Sequence, residues 1–219
     1  MARTGSPRPG QVAHRSNTLI VVALASLANG AALLAHIFFG FPMPLLLAVT
    51  WTVAVLSIAA LAVLGDPLGR AAIVRIVRLG MVAGILATLA YDVTKFALSQ
   101  LDPSPFNPFE ATRIFGTLLV GEAAPATLVQ VAGWTFHLIN GTTFGIAFAC
   151  LFARFGRGSL RAGFVGGIAW GLFLETFQLT LYPGWLSIRF LDEFRQISFL
   201  SHVVFGAVLG VIVPRGLRR

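Results

Sequence analysis

Charge is what this sequence has least of. Only 11% of its 219 residues are charged, against 57% hydrophobic, and eight of the charges are acidic. Such a chain lacks the polar surface that a soluble domain spreads over itself, so the composition points to an integral membrane protein. Cysteine is nearly absent as well. With Cys150 alone, no intrachain disulfide and no thiolate metal cluster can form. Also missing are a glycine-rich phosphate loop, a nucleophile elbow, and a pair of histidines at metalloprotease spacing, which removes the sequence signatures of the commonest enzyme sites.

What is present is apolar length. Runs of roughly 20 residues, enough to cross a bilayer, occur at 18–39, 43–64, 79–100, 127–152, 161–182 and 196–213. The expectation is an all-α polytopic bundle of six transmembrane helices. The first run is too long for the apolar core of a cleaved signal peptide and reads as an uncleaved anchor. Residues 1–17, rich in Pro, Gly, Ser and Arg, read as a disordered tail, in which His14 has no companion. Residues 18–64 read as an N-terminal hairpin, and 65–219 as a four-helix unit.

The net charge of +8 matters less than its distribution. Twelve of the sixteen basic residues fall on one side of the six-span map: Arg3, Arg8, Arg15, Arg70, Arg75, Arg78, Arg154, Arg157, Arg161, Arg215, Arg218 and Arg219. Of the acidic residues only Asp66 joins them. This asymmetry places that side, and both termini, in the cytoplasm, and assigns the chain to the cytoplasmic membrane. The basic clusters thus speak for topology and the lipid bilayer as partner, with anionic-lipid binding a secondary role, and not for nucleic acid.

Two segments lie on the other side. The first, Asn107 to about 120, has Asn107 as an N-cap, Pro108 in the first turn and Glu110 beyond it, and forms a short amphipathic helix expected on the outer interface, as an anchor or a lid, at about 108–120. The second carries Tyr182 and Trp185 at the depth of an aromatic belt. His36 reads as an interfacial histidine near the end of the first span. Asp66 and Pro67 open a basic segment that precedes the third span.

The third and fifth runs align. An offset of 83 carries Arg78 onto Arg161, Gly80 onto Gly163, Gly84 onto Gly167 and Asp92 onto Glu175, and the fourth and sixth runs both end in Phe-Gly, at Phe144-Gly145 and Phe205-Gly206. Helices 3–4 and 5–6 therefore read as a parallel repeat of two hairpins about an axis along the membrane normal, packed through small residues.

The polar residues inside these runs raise the functional question. Gln130, Trp134, His137, Asn140, Gly141 and Phe144 share one helical stripe; Thr88, Asp92, Lys95 and Ser99 share a second; Glu175 and Gln178 a third; Arg195, Ser198 and His202 a fourth. An ionisable group at such depth costs about 2.5–3.5 kcal/mol, so these groups should face one another across a chamber in the outer half of the bundle. The ligand-binding candidates are Asp92, Lys95, His137, Asn140, Glu175, Gln178, Ser198 and His202. In one reading they satisfy each other, with Lys95 the local counter-charge of Asp92 and Glu175 paired to a histidine or Arg195. In a second they bind or pass a small solute, ion or proton, with Glu175 as the proton-exchanging group because it has no basic residue within a turn. In a third, His137, His202, Asp92 and Glu175 hold a metal ion, or the two histidines hold a haem, as in an intramembrane enzyme. Service as a structural subunit beside other membrane subunits is a further alternative. No reaction can be named from these residues.

Overall fold

The computed structural model describes residues 9–64, 67–156, 159–180 and 183–218, and among them every regular element is helical. Helix α1 spans Pro9–Ser26, α2 Ala28–Phe39, α3 Met43–Leu64, α4 Pro67–Ser99, α5 Glu110–Val120, α6 Ala126–Phe155, α7 Leu160–Glu175 and α8 Leu191–Arg218. A π-helical stretch, Thr176–Thr180, continues α7, and Pro183–Leu186 forms a 3₁₀ turn. The tail expected at 1–17 and its arginines lie largely outside the described residues, as do Asp66, Arg157 and Tyr182; the helix of α1 already begins at Pro9.

Four helices, α3, α4, α6 and α8, are long and apolar enough to cross a membrane. A fifth span exists if α1 and α2 count as one, for the 18–39 run is bent by 52° at Leu27. No proline or glycine sits at the bend. At the break the Leu27 amide turns to the Leu24 carbonyl at 3.0 Å, and Ser26 Oγ donates to the Val22 carbonyl at 2.8 Å. The 161–182 run also departs from a single helix. Its α-helical part is 16 residues, about 24 Å at 1.5 Å per residue, before the backbone widens into the π turn at Thr176.

Helix α3 has apolar residues exposed all round, among them Leu45, Val49, Val53, Leu56 and Val63, as expected of a helix that faces lipid and not a core. It is tied to α2 through Trp51 Nε1, which donates to Asn29 Oδ1 at 2.5 Å.

Glycines set the helix crossings. On α4 and α6, a Cβ added at Gly84 would sit 2.6 Å from the Gly141 carbonyl oxygen and one at Gly145 would lie 2.5 Å from Gly80 O. The α7–α8 crossing is as close, with a Cβ at Gly206 falling 2.9 Å from Ile168 Cα. Backbones at these points touch directly, which only glycine permits. The contacts also correspond in register: Gly84 against Gly145 is matched by Gly167 against Gly206, Gly80 against Ala149 by Gly163 against Gly210, and Thr88 against Gly141 by Gly171 against His202. The two hairpins are not disposed about a closed twofold, however. Helix α4 packs on both α6 and α8, whereas α6 and α7 scarcely meet, so the four helices follow the order α6, α4, α8, α7.

The amphipathic helix forms as α5, but it lies lengthwise and antiparallel on the first turns of α6, with Gly116 on the Val129 carbonyl and Gly133 on that of Thr112. Asn107 is not its N-cap. The Asn107 side chain instead accepts from the Phe109 amide at 2.9 Å, an Asx turn one step earlier, and Phe109 takes the cap position without a side-chain bond. On the exposed face Glu110 bonds Arg113 at 2.7 Å, which raises the Arg113 guanidinium pKa above its ordinary value. His36 Nδ1 donates to the Phe41 carbonyl at 2.7 Å, closing the turn after α2 around Gly40, whose φ of 70° suits a residue without Cβ.

Candidate functional site

The arginine-bearing helix ends lie together: Arg75 at the start of α4 donates to the Gly216 carbonyl at the end of α8, 3.1 Å away. The polar residues occupy the other half of the bundle. Asp92 is seven residues from the end of α4 and Ser198 seven from the start of α8, so both sit about 10 Å inside their helix ends at 1.5 Å per residue.

Successive residues of α4 divide the work between two neighbours. Asp92 faces α6, where its Oδ1 meets His137 Nε2 at 2.8 Å. Tyr91, one residue earlier, faces α8, and its hydroxyl lies 3.2 Å from Ser198 Oγ. Lys95, one turn on and only 3% exposed, donates to the Tyr91 hydroxyl at 3.1 Å. An ammonium only donates, so the phenol oxygen accepts from Lys95, while either hydroxyl can donate in the Tyr91–Ser198 contact. Ser198 Oγ is 3.4 Å from His202 Nδ1, which also lies 2.9 Å from the Ser198 carbonyl. A carbonyl only accepts, which places the hydrogen of His202 on Nδ1. The result is one chain of contacts, Lys95 to Tyr91 to Ser198 to His202, with the Asp92–His137 pair beside it. Both histidine rings flank Tyr91, at centroid distances of 5.7 Å for His137 and 4.8 Å for His202.

These groups border a half-open chamber of about 70 Å³. Thr88, Tyr91, Lys95, His137, Asn140, Ser198 and His202 give its polar wall, while Phe109 and Phe115 of the α5 segment, Trp185, Leu186 and Phe194 close the side away from the arginines. The Asn140 Oδ1 is buried and has no hydrogen-bond partner among the described residues. Lys95 Nζ stands 3.9 Å from the centre of the Phe194 ring, a cation–π contact that replaces a carboxylate.

Several expected pairings give way to others. Asp92 stands within electrostatic reach of Lys95 but makes no ion pair with it among the described residues: the carboxylate hydrogen-bonds across the α4–α6 crossing to His137, where the Thr88–Gly141 contact brings those helices close just below. Arg195 reaches Asp192 at 3.8 Å, and no described histidine or Arg195 takes Glu175. Glu175 is 2% exposed at the end of α7, where the π turn begins, and with Asp92 it stands within electrostatic reach of the Tyr91 hydroxyl. Neither carboxylate forms the chamber wall itself. The side chain of Gln178 lies outside the described residues. On the α6 stripe Gln130 and Trp134 are exposed, so only His137, Asn140, Gly141 and Phe144 turn inward. Tyr91, which joins the two halves of the network, was not among the sequence candidates; its one legible signal was its place four residues before Lys95 in a chain with two tyrosines.

Among the described residues no three of the His, Cys, Asp and Glu side chains converge as a metal site. A haem between His137 and His202 does not fit either, since the Tyr91 ring fills the space between them and the chamber is too small for a porphyrin. Comparison of the chain with protein-family models, curated proteins and solved structures finds no match. The apolar helices and the polar pocket among them have the build of a multi-pass membrane protein.

Proposed function

We propose that the chain is a six-span protein of the cytoplasmic membrane, termini inside, whose chamber takes up a small polar solute, ion or proton from the outer side and passes it on with exchange of a proton. The observation that carries this reading is the half-open cavity of about 70 Å³ walled by titratable groups from α4, α6 and α8 in hydrogen-bond contact. On this measure a water needs about 10–15 Å³, so the chamber has room for about five waters or one solute of a few heavy atoms. Purely mutual satisfaction would leave no such space, nor an unpartnered Asn140 oxygen inside it.

The bent α1–α2 pair and α7 with its π continuation supply the fifth and sixth spans. Matching glycine crossings support the parallel repeat, in which Asp92 and Glu175 are equivalent carboxylates, one paired to His137 and the other adjoining the π turn. π turns recur at functional sites, which favours Glu175 as the exchanging group. The α5 helix and Trp185 then form the outer lid.

Proteoliposomes holding a pH-sensitive dye test the proposal. Wild-type protein should move protons, alone or with an added small solute, and Glu175→Gln should stop this while leaving thermal stability unchanged, because the amide keeps the shape and removes the titration. Lost stability with no flux in either protein would mark the network as structural and favour a subunit of a larger membrane complex.

A further inference from the structure

The scarce contact between α6 and α7 leaves an open-sided groove that begins near the arginine end and runs to within one helical turn of the chamber, Phe148 and Phe173 lining the groove and Phe144 and Leu174 the chamber. Its walls are Phe148, Phe152 and Phe155 of α6 and Ala162, Trp170 and Phe173 of α7, and Gly166 forms its floor. Gly166 is unlike the other glycines of α7. A Cβ at Gly163, Gly167 or Gly171 would strike α8, but at Gly166 nothing lies within 4 Å. A mid-helix glycine costs helix stability relative to alanine, and here no packing within the chain requires it. What it does is keep the groove deep. From Ala162 to Phe173 the groove runs about 16 Å at 1.5 Å per residue, the reach of most of an acyl chain. Arg154 and Arg161 directly precede the groove residues Phe155 and Ala162; both are exposed, Arg154 lies over the Phe155 ring at 4.7 Å, neither makes an ion pair among the described residues, and every described acidic residue lies in or beyond the other half of the bundle.

We infer that this groove is a binding site for an anionic phospholipid, with an acyl chain along Gly166 and Trp170 and the phosphate between Arg154 and Arg161. Apolar depth alone would accept any lipid; the two arginines at one end, with no carboxylate near them, select a negative headgroup. The site is independent of the chamber and of the solute reading.

Trp170 reports on it directly. The full-length protein is reconstituted in vesicles containing either brominated phosphatidylglycerol or brominated phosphatidylcholine, and the Trp170 signal is taken as the difference between wild type and Trp170→Phe. Trp170 should be quenched at a mole fraction of the anionic lipid on the order of tenfold lower than of the zwitterionic one, two basic residues being sufficient for such a preference. Arg154→Gln with Arg161→Gln should abolish the preference. Gly166→Leu, which has open space for its side chain and so preserves the fold, should remove Trp170 quenching by both lipids. Equal quenching by the two headgroups in wild type, a preference that survives the double arginine change, or quenching undiminished by Gly166→Leu would each overturn the proposal. So would a groove closed to both lipids in wild type, the result expected if a second copy of the chain covered it.

Discussion

Removing the Tyr91 hydroxyl should destabilise the protein by an amount that depends on whether Lys95 is present. In Tyr91→Phe the ring still fills its place, but Lys95 Nζ loses its one hydrogen-bond acceptor, now 3.1 Å away, and Ser198 loses a partner at 3.2 Å. Interhelical hydrogen bonds within membranes average about 0.6 kcal/mol, which covers the Ser198 side. Hydrogen bonds to a charged group contribute about 1.5–3 kcal/mol, and among the described residues the Lys95 ammonium has no second hydrogen-bond acceptor, only the Phe194 and Tyr91 rings and the field of Asp92. The single change should therefore cost about 2–3 kcal/mol. Lys95→Met keeps the length of the side chain and removes a buried charge that makes no direct ion pair among the described residues, so it should cost little. In the Lys95→Met background, Tyr91→Phe should cost only about 0.6 kcal/mol, the average for an interhelical bond in a membrane. The coupling energy from the double-mutant cycle is then about 2 kcal/mol. Reversible unfolding of the purified protein in mixed micelles measures it. A coupling under about 0.5 kcal/mol, the lower limit for an ordinary hydrogen bond, would refute a Lys95–Tyr91 bond as the link in the network.

Neighbouring glycines of α7 should behave oppositely: Gly167→Val drives a side chain into the Gly206 carbonyl and should lose at least the 1–3 kcal/mol typical of overpacking, while Gly166→Ala should gain about 0.5–1 kcal/mol, both read as shifts in unfolding midpoint. Cysteines introduced at Arg70 and Gly156 should be labelled from one side of the membrane and those at Pro105 and Ser187 from the other; labelling of both pairs from the same side would overturn the six-span topology. Purified protein should show no Soret band and no stoichiometric metal, and a bound metal or haem lost in His137→Ala or His202→Ala would restore the metal or haem reading. Glu110→Gln should cost no more than about 1 kcal/mol, the limit for an exposed ion pair, measured as the change in melting temperature of α5-dependent proteolysis.

By itself the sequence determined the all-helical class and where apolar length suffices to cross a membrane, because transfer out of water depends on composition summed over a stretch and needs no neighbour. The run at 43–64 became α3, Met43–Leu64, on this basis alone. Glycine spacing likewise foretold which faces meet, since close backbone approach demands a missing Cβ. Breaks inside runs were hidden: neither the bend at Leu27 nor the π turn after Glu175 has a proline or other residue pattern that marks it. The site shows the division most clearly. His137, Asn140, Ser198 and His202 were legible as polar residues too costly to leave facing lipid, but their partners were not. Lys95 lies three residues from Asp92, and local proximity suggested a pair; the α4–α6 crossing gave the Asp92 hydrogen bond to His137, while Lys95 bonds Tyr91 one turn back on the same helix, on the side that faces α8. Which group Asp92 meets is decided by an interhelical distance of 2.8 Å, and this belongs to the packed bundle, not to any stretch of chain.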